Sequence, residues 1–194
     1  MRIGVLALQG AFREHIVTLE ALGVATVAVR LPHQLEDCAG LVIPGGESTA
    51  IGKLMATYGF YEAVAERYAD GMGVWGTCAG AILIARDVLD ALPDQRTLGL
   101  MDITVRRNAY GRQLASFEAD LDVDGLHDPF RGVFIRAPWI EAVGDGVEVL
   151  ARHDRRIVAA RQGDLLATTF HPELTGDVAL HRLFVERVVG APRG

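Results

Sequence analysis

The alternation of short apolar runs with amphipathic helical segments is the feature that most constrains this fold. The strand-like runs are short and rich in β-branched residues, and they lie at 3–8, 24–29, 41–43 and 74–75. Runs of this kind are typical of parallel strands that are buried on both faces. Between the first two, residues 12–22 carry apolar side chains at three- and four-residue spacing, and Gly23 follows as a left-handed C-cap. The pattern therefore predicts strands that alternate with covering helices.

This alternation predicts an α/β fold with a doubly wound, mostly parallel sheet flanked by helices. Ligands of such sheets bind at the carboxyl ends of the strands, so function is expected in the loops that follow strands. Between 103 and 161 the runs become shorter and closer, at 132–135, 147–150 and 157–160, which predicts an antiparallel extension. With 194 residues, half of them apolar, we expect residues 1–194 to form one domain.

Composition and residue spacing argue against nucleic acid, membranes, metals and cofactors as partners. The formal net charge is −6 and no basic stripe is present, which argues against nucleic-acid binding. The apolar run at the N-terminus is too short for a membrane span and lacks a signal-peptide cleavage pattern, so we expect a cytoplasmic protein without membrane contact. The six histidines and two cysteines show no metal-ligand spacing, and we expect neither metal nor cofactor.

A cysteine stands between glycines at the end of the fourth strand-like run. The sequence Gly76-Thr77-Cys78-Ala79-Gly80 is the cysteine form of a nucleophile elbow, whose strained turn needs small neighbours. The following helix presents its positive end to the side chain and favours a thiolate. A buried core cysteine is the ordinary alternative. Cys38 is also followed by Ala-Gly, but it precedes a strand and lacks the first glycine, so we expect it to be inert.

Residues His171-Pro172-Glu173 follow the apolar run 165–170. Proline biases His171 toward an extended backbone, and side chains two residues apart in an extended segment point the same way. His171 is then the candidate base, and Glu173 the group that fixes its tautomer. Alone, this tripeptide is more often a surface turn. Its occurrence together with the elbow predicts a Cys78-His171-Glu173 triad.

The loop Pro44-Gly45-Gly46-Glu47-Ser48-Thr49 also follows a strand. A glycine pair lets backbone N–H groups approach a developing oxyanion, and Gly46 and Ala79 are the candidate donors. A phosphate-binding loop is excluded, because five residues rather than four separate Gly46 from Gly52, and a leucine follows the lysine where Ser or Thr is needed. The loop is also expected to cap the next helix through Ser48.

Several segments together resemble the class I, triad-type glutamine amidotransferases, and within them the PdxT/SNO family of glutaminase subunits of pyridoxal 5′-phosphate synthase. These segments are LALQGAFREH, PGGEST, GTCAG, RNAYGRQLASFEADL, VFIRAP and FHPELT. They span nearly the whole chain, and those between the triad loops select this family over other amidotransferases. The resemblance implies a flavodoxin-like fold and hydrolysis of L-glutamine to L-glutamate and ammonia, with no cofactor.

The resemblance also implies a set of site residues and a partner. By position, Cys78, His171 and Glu173 correspond to the triad, and the implied glutamine contacts are Gly46, Glu47, Ser48, Arg107, Ile135 and Arg136. From the residues alone, Arg107 and Arg136 would be ordinary charges at strand ends. The implied partner is the PdxS/SNZ-type synthase subunit in a hetero-oligomer, which receives the ammonia. Docking is expected beside Gln9-Gly10 and Gly45-Gly46, where a flip of the Gly45–Gly46 peptide would activate the glutaminase.

Two other classes of function stay open at the level of sequence. A stand-alone cysteine hydrolase of the same fold, peptidase-like or DJ-1-like, could share the elbow but would not require RNAYGRQ and FIRAP. A non-catalytic binding domain could retain the fold, but an intact triad argues against it. Release of glutamate from glutamine distinguishes the glutaminase from both.

Overall fold

A parallel sheet forms the centre of the computed structural model, which describes residues 1–93, 95–107 and 116–190. The described strands, in chain order, are β1 (Arg2–Leu6), β2 (Ala25–Val29), β3 (Gly40–Ile43), β4 (Gly73–Thr77), β5 (Ala85–Leu89), β6 (Met101–Arg106), β7 (Ser116–Leu121), β8 (Phe130–Ile135), β9 (Trp139–Val143), β10 (Glu148–His153), β11 (Arg156–Gln162) and β12 (Leu165–Thr168). The helices are α1 (Phe12–Ala21), α2 (Ser48–Tyr58), α3 (Phe60–Ala69), α4 (Ala79–Ile84) and α5 (Ala179–Leu183). Two 3₁₀ turns lie at Pro32–Leu35 and Pro172–Leu174, and a π-helical turn at Phe184–Val189 extends α5.

The main sheet has the strand order β2-β1-β3-β4-β12-β11-β9-β6-β5. The first five of these strands are mutually parallel, and β12, far along the chain, lies beside β4. Antiparallel pairing begins at β11 and continues through β9 to β6, while β10 pairs with the other part of β11. Strands β7 and β8 form a separate antiparallel pair. The doubly wound parallel sheet and its antiparallel extension are therefore confirmed.

Successive residues of the central strands point to opposite faces of the sheet. On β4, Val74 packs into one apolar cluster and Trp75 into the other. On β3, Val42 packs with Trp75, while Leu41 and Ile43 pack with Val74. All of these side chains are fully buried. The continuous apolar runs thus arise because both faces of the parallel strands are covered.

The local predictions were accurate for the first helix and the central strands. Helix α1 ends at Ala21, and Gly23 has a φ of +75°, as a left-handed C-cap residue does. Residues 108–115 of the segment RNAYGRQLASFEADL lie outside the described part of the chain, and its last six residues form β7. Within the described ranges, no helix is long and apolar enough to cross a membrane.

Candidate active site

Cys78 occupies a strained turn between β4 and α4. Its φ is +48° and its ψ is −104°, a left-handed conformation that is uncommon outside glycine. Its N–H donates to the Thr168 carbonyl at the end of β12, at 2.8 Å, and its own carbonyl accepts from the Ala81 N–H at 3.1 Å. These bonds to fixed elements hold the strained residue in place.

The two glycines of the elbow are explained by close backbone contacts. A Cβ at Gly76 would collide with the backbone of Gly80, and a Cβ at Gly80 would collide with the Ile43 carbonyl on β3. In both cases the obstacle is backbone, which cannot move aside as a flexible side chain can. The small residues around Cys78 therefore let the turn pack against β3.

His171 connects Cys78 to Glu173. Its Nδ1 lies 2.8 Å from Glu173 Oε1, and its backbone N–H donates to Val133 on β8 at 2.8 Å. All three side chains are nearly buried, with 6%, 8% and 6% of Cys78, His171 and Glu173 exposed. The bond at Nδ1 leaves Nε2 as the ring nitrogen for exchange of a proton at the thiol.

The protonation of His171 is decided by opposing effects. Burial lowers its pKa, but hydrogen bonds and charge interactions with Cys78 and Glu173 outweigh burial and raise the pKa of His171 to about 10. An imidazolium beside the cysteine is the state that supports a thiolate nucleophile and can later protonate a leaving amine.

The backbone route from His171 to Glu173 differs from the predicted one. The extended segment expected after His171 is absent, because Pro172–Leu174 forms a 3₁₀ turn and His171, at φ −106° and ψ 87°, precedes it. Proline is suited to the first position of such a turn, since its φ is already fixed near the required value. The turn, rather than an extended strand, brings the carboxylate back to the imidazole.

The glycine pair lies directly against the triad. A Cβ at Gly45 would collide with the His171 ring and would lie 3.2 Å from Cys78 Cβ. The Gly45 carbonyl accepts from the Ala11 N–H at 3.0 Å. Since C=O and N–H of a trans peptide point in opposite directions, the Gly46 N–H points away from Ala11. A flip of this peptide would break the bond to Ala11.

Glu47, not Ser48, caps α2. Its carboxylate accepts from the N–H groups of Thr49 and Ala50, at 3.0 and 2.7 Å, while Ser48 is the first helical residue. The predicted Ser48 cap is therefore wrong, because the longer glutamate side chain reaches both free N–H groups. Partial burial opposes ionisation, but these two donors, helped by Arg107, hold the pKa of Glu47 below its ordinary value.

Arg107 is held by polar partners at the mouth of the site. Its Nη2 lies 3.1 Å from Glu47 Oε1, and its Nη1 lies 3.4 Å from the amide oxygen of Gln95. The Gln95 amide nitrogen in turn lies 3.3 Å from Ser48 Oγ. Arg107 is thus a positioned group rather than a freely solvated charge.

Ile135 is the last residue of β8, and Arg136 follows it. Arg136 has a φ of +43°, and Ile135 is 37% exposed despite being apolar. Among the described residues, no ion-pair partner of Arg136 is present. Arg136 is consequently the guanidinium with the freest access to an anionic ligand here.

A cleft of about 360 Å³ brings these loops together. It is lined by Gln9, Gly46, Glu47, Ser48, Cys78, Ala79, Ile82, Arg107, Ile135, Arg136, Pro138 and His171. Every predicted catalytic, oxyanion or substrate-contact residue is in this lining except Glu173, which lies behind His171. The individual roles of these residues stay predictions. Across the described residues, no group of three or more His, Cys, Asp and Glu side chains is arranged to hold a metal ion.

Two polar residues of this region were not predicted as part of the site. Gln9 accepts from the Glu47 N–H at 2.9 Å and fixes the glycine loop, although the sequence suggested only a docking role for its loop. Gln95 connects Ser48 with Arg107. Neither belongs to a motif with a chemical meaning of its own, so only proximity in the fold identifies them.

Comparisons with known proteins identify the family of the chain. The family model of the SNO glutamine amidotransferase family matches residues 5–190. A pyridoxal 5′-phosphate synthase subunit PdxT from Nocardioides sp. is 58% identical over 191 residues, which are 96% of this chain and 95% of the relative. A protein of the same name from Pelotomaculum thermopropionicum is also 58% identical, over 98% of this chain and 97% of its own length.

Solved structures show the same architecture. One described as a glutamine amidotransferase superposes with a TM-score of 0.92 at 50% identity and covers 97% of this chain and 99% of its own. A protein described as PurLQS from Thermotoga maritima superposes with a TM-score of 0.70 at 18% identity, covering 95% of this chain and 97% of its own, and supports the fold alone.

Proposed function

The chain belongs to the SNO glutamine amidotransferase family, and we propose that it is the glutaminase subunit of a pyridoxal 5′-phosphate synthase, hydrolysing L-glutamine to L-glutamate and ammonia. The observation that carries this proposal is the Cys78-His171-Glu173 arrangement at the base of the cleft, in a chain that matches PdxT proteins over nearly its whole length.

The first chemical step is acyl transfer to Cys78. The thiolate attacks the side-chain amide carbon of glutamine and forms a C–S bond, while the carbonyl electron pair moves onto oxygen. The N–H groups of Gly46 and Ala79 stabilise this oxyanion. When it collapses, the C–N bond breaks and the His171 imidazolium protonates the departing nitrogen, which leaves as ammonia.

The second step is hydrolysis of the thioester. His171, now neutral, removes a proton from water as its oxygen adds to the acyl carbon. Collapse of the second tetrahedral intermediate breaks the C–S bond and releases glutamate with the thiolate restored. Glu173 stabilises the imidazolium each time it forms. The sum is glutamine and water to glutamate and ammonia, which needs no cofactor.

The cleft offers matching groups for the rest of the substrate. Arg136, which has no described ion-pair partner, suits the α-carboxylate of glutamine. Glu47, held by Arg107 and by the N-terminus of α2, supplies negative charge on the other side. Ser48, Ile135 and Arg107 complete the proposed substrate contacts.

The partner in this proposal is a PdxS/SNZ-type synthase subunit that consumes the ammonia. We place both in the cytoplasm, consistent with two unpaired cysteines, and treat residues 1–194 as one glutaminase domain. Docking beside Gln9-Gly10 and Gly45-Gly46 would raise activity by setting the oxyanion donors.

A glutamate-release assay with and without such a synthase subunit tests the proposal. Glutamate formation that is stimulated by the synthase, together with product formed from glutamine by the mixture, is the expected result. Absence of glutamate in both conditions would refute the glutaminase. Equal rates with and without the synthase would leave the glutaminase standing and refute activation by the partner.

A further inference from the structure

Two fully buried histidines lie behind the triad, on the side away from the cleft. His15 is on α1 and His181 is on α5, and both are 0% exposed. His15 Nδ1 and His181 Nε2 lie 2.8 Å apart. Trp75 packs edge-on against both rings, at centroid distances of 5.7 and 4.9 Å. The proposed chemistry does not use this pair.

The His15 ring joins this pair to the triad. Its Nε2 lies 3.3 Å from Glu173 Oε2 and 3.2 Å from Thr77 Oγ1. Glu173 Oε1 is already bonded to His171, whereas Oε2 has no hydrogen-bond partner among the described residues, and its contact with His15 Nε2 is electrostatic. His15 Nε2, whose hydrogen bond is with Thr77 Oγ1, is therefore also the ring nitrogen that faces the second oxygen of the buried carboxylate.

The positions of the protons follow from the acceptors. If Nε2 of His15 carried no hydrogen, its lone pair would face the Glu173 carboxylate, which is repulsive. Although the Thr77 hydroxyl could donate to a bare Nε2, a proton on Nε2 with Thr77 Oγ1 as its acceptor avoids this repulsion. We therefore assign the proton to Nε2, and Nδ1 of His15 then accepts from the Nε2–H of His181.

The surroundings of His181, at the other end of the histidine pair, agree with this assignment. His181 Nδ1 has no partner among the described residues. If His181 Nδ1 carries no proton, no buried N–H is left without an acceptor there. The reverse tautomer would place an N–H on Nδ1 with no acceptor. Both ends of the histidine pair therefore select the same direction of donation, from His181 to His15 and from His15 Nε2 toward Thr77 and Glu173.

Both histidines are neutral in this arrangement. Burial, reinforced by the neighbouring His181 and His171, lowers the pKa of His15 well below its ordinary value. Burial also lowers the pKa of His181 to about 3. The titratable groups near Glu173 are His171 on the same segment, His15 on α1 and Cys78 on the elbow. His181 on α5 lies next to His15 and contacts Glu173 only through it. Glu173 is the only carboxylate among them.

We propose that His15, oriented by His181, is a positioning residue that points its Nε2–H toward Thr77 Oγ1 and the second oxygen of Glu173, 3.3 Å away, and so keeps this carboxylate aligned with His171. Without that donor, the carboxylate can rotate about its terminal torsion and lose the bond to Nδ1 of His171. The role rests on the proposed triad, but the protonation pattern of the two histidines can be measured without glutaminase activity.

The first test is an NMR measurement on the wild-type chain labelled with ¹⁵N-histidine. Ring nitrogen shifts should show His15 and His181 neutral and protonated on Nε2 between pH 6 and 8, while His171 is charged over the same range. A proton on Nδ1 of His15, or a charged His15, would overturn the proposal whatever the glutaminase assay gives.

The second test compares His15→Leu with His15→Gln in the presence of the synthase. The leucine has no donor, and kcat should fall about 10- to 100-fold, the scale seen when the outer partner of a metal-bound histidine is removed, with little change in KM. The glutamine retains an N–H group of similar reach and should recover most of the loss. In His15→Leu, the NMR titration midpoint of His171 should move to lower pH.

Val64→Ala supplies the control for simple destabilisation, since Val64 is fully buried on α3 in the opposite apolar cluster. It should lower the melting temperature but leave kcat and the His171 titration unchanged. A folded His15→Leu protein with wild-type kcat and an unmoved His171 titration would refute the positioning role. If that variant does not fold, the kcat of His15→Gln and the histidine tautomers of the wild-type protein test the positioning role instead. A wild-type protein without glutaminase activity would refute the proposed function separately.

Discussion

Cys38 and Cys78 are both buried and both followed by Ala-Gly, yet their surroundings differ at each step. Cys38 precedes β3, its thiol lies 3.3 Å from the Gln34 carbonyl, and burial raises the pKa of this thiol. Cys78 follows β4 in a strained turn, beside His171 and at the base of a cleft. The same three residue types thus give a core thiol that we expect to be inert in one context and a candidate nucleophile in the other. Backbone conformation and the neighbouring base distinguish them, whereas burial does not.

Removing each thiol in turn gives the largest expected contrast. Cys78→Ala should reduce glutamate release to background, because no acyl intermediate can form, while Cys38→Ala should retain nearly wild-type turnover. Coupled glutamate detection with the synthase present measures both. The Cys78 variant mixed with synthase should still form product from ammonium salts. Loss of activity on removing Cys38 instead would reverse the assignment.

The next effect concerns Glu173, the acid bonded to the histidine beside Cys78. Glu173→Gln should fold, but without the carboxylate His171 should take the wrong tautomer. The kcat should then fall on the order of 10³- to 10⁴-fold, with a smaller change in KM. Steady-state kinetics beside a circular-dichroism check of folding would show this. Wild-type turnover would remove Glu173 from the triad.

The glycines that end the two Cys-Ala-Gly sequences provide a matched pair of substitutions. In Gly80→Ala the new Cβ meets the Ile43 backbone carbonyl, so the elbow must shift and glutaminase activity should be lost even in protein that folds. In Gly40→Ala the new Cβ meets side chains, with Val189 Cγ2 at 2.6 Å, and overpacking should cost about 1–3 kcal/mol of unfolding free energy while activity per folded molecule is kept.

Thermal unfolding and active-site titration with a glutamine-analogue alkylator would separate these two effects. Equal loss of alkylation in both variants would contradict the different roles of the two glycines.

The smallest expected effect is on the pH dependence of stability. Burial lowers the pKa of both His15 and His181, so the stability they contribute is full above the unfolded value of about 6.5 and is lost below it. From pH 6.5 to 5, the free energy of unfolding should fall by roughly 1 to 2 kcal/mol for each histidine. Urea unfolding at the two pH values measures this.

The control for this prediction is His15→Gln, in which the decrease should be smaller because one titrating group is gone. His171 changes the free energy of unfolding at higher pH. Because its pKa is raised, the stability that it contributes is full below about pH 6.5 and is lost as the pH rises toward 10. A wild-type protein equally stable at pH 6.5 and 5 would contradict the neutral histidine pair.

The sequence predicted most of the parallel half of the fold, because its strands are buried on both faces and read as continuous apolar runs. The elbow was predictable for a similar reason, since a nucleophile in a strained turn requires small neighbours that remain visible as glycines. The Glu47 cap was missed because serine is a more common helix N-cap residue than glutamate. Only the structure shows that the longer glutamate side chain reaches the free N–H groups of the first turn.

The histidine pair illustrates what sequence could not supply. His15 lies on the apolar face of α1, three residues after Phe12 and four before Leu19, which is a detectable irregularity. A histidine there is more often a satisfied core residue, and nothing in the spacing connects it to residues 173 or 181. These contacts join segments more than 150 residues apart, so they depend on how α1 and α5 pack on the same face of the sheet.

The placement of β12 next to β4 has a consequence for how the protein is made. During translation, the ribosome produces β1 to β4 first, and the edge of β4 stays open until residues 165–168 emerge. Because the Cys78 N–H bonds to Thr168 and the histidine follows at 171, a nascent chain carries its thiol long before it can use it. If Cys78 and His171 act as proposed, ammonia release is delayed until β12 and residue 171 have been synthesised. Until then the β4 edge is open to pairing with other chains.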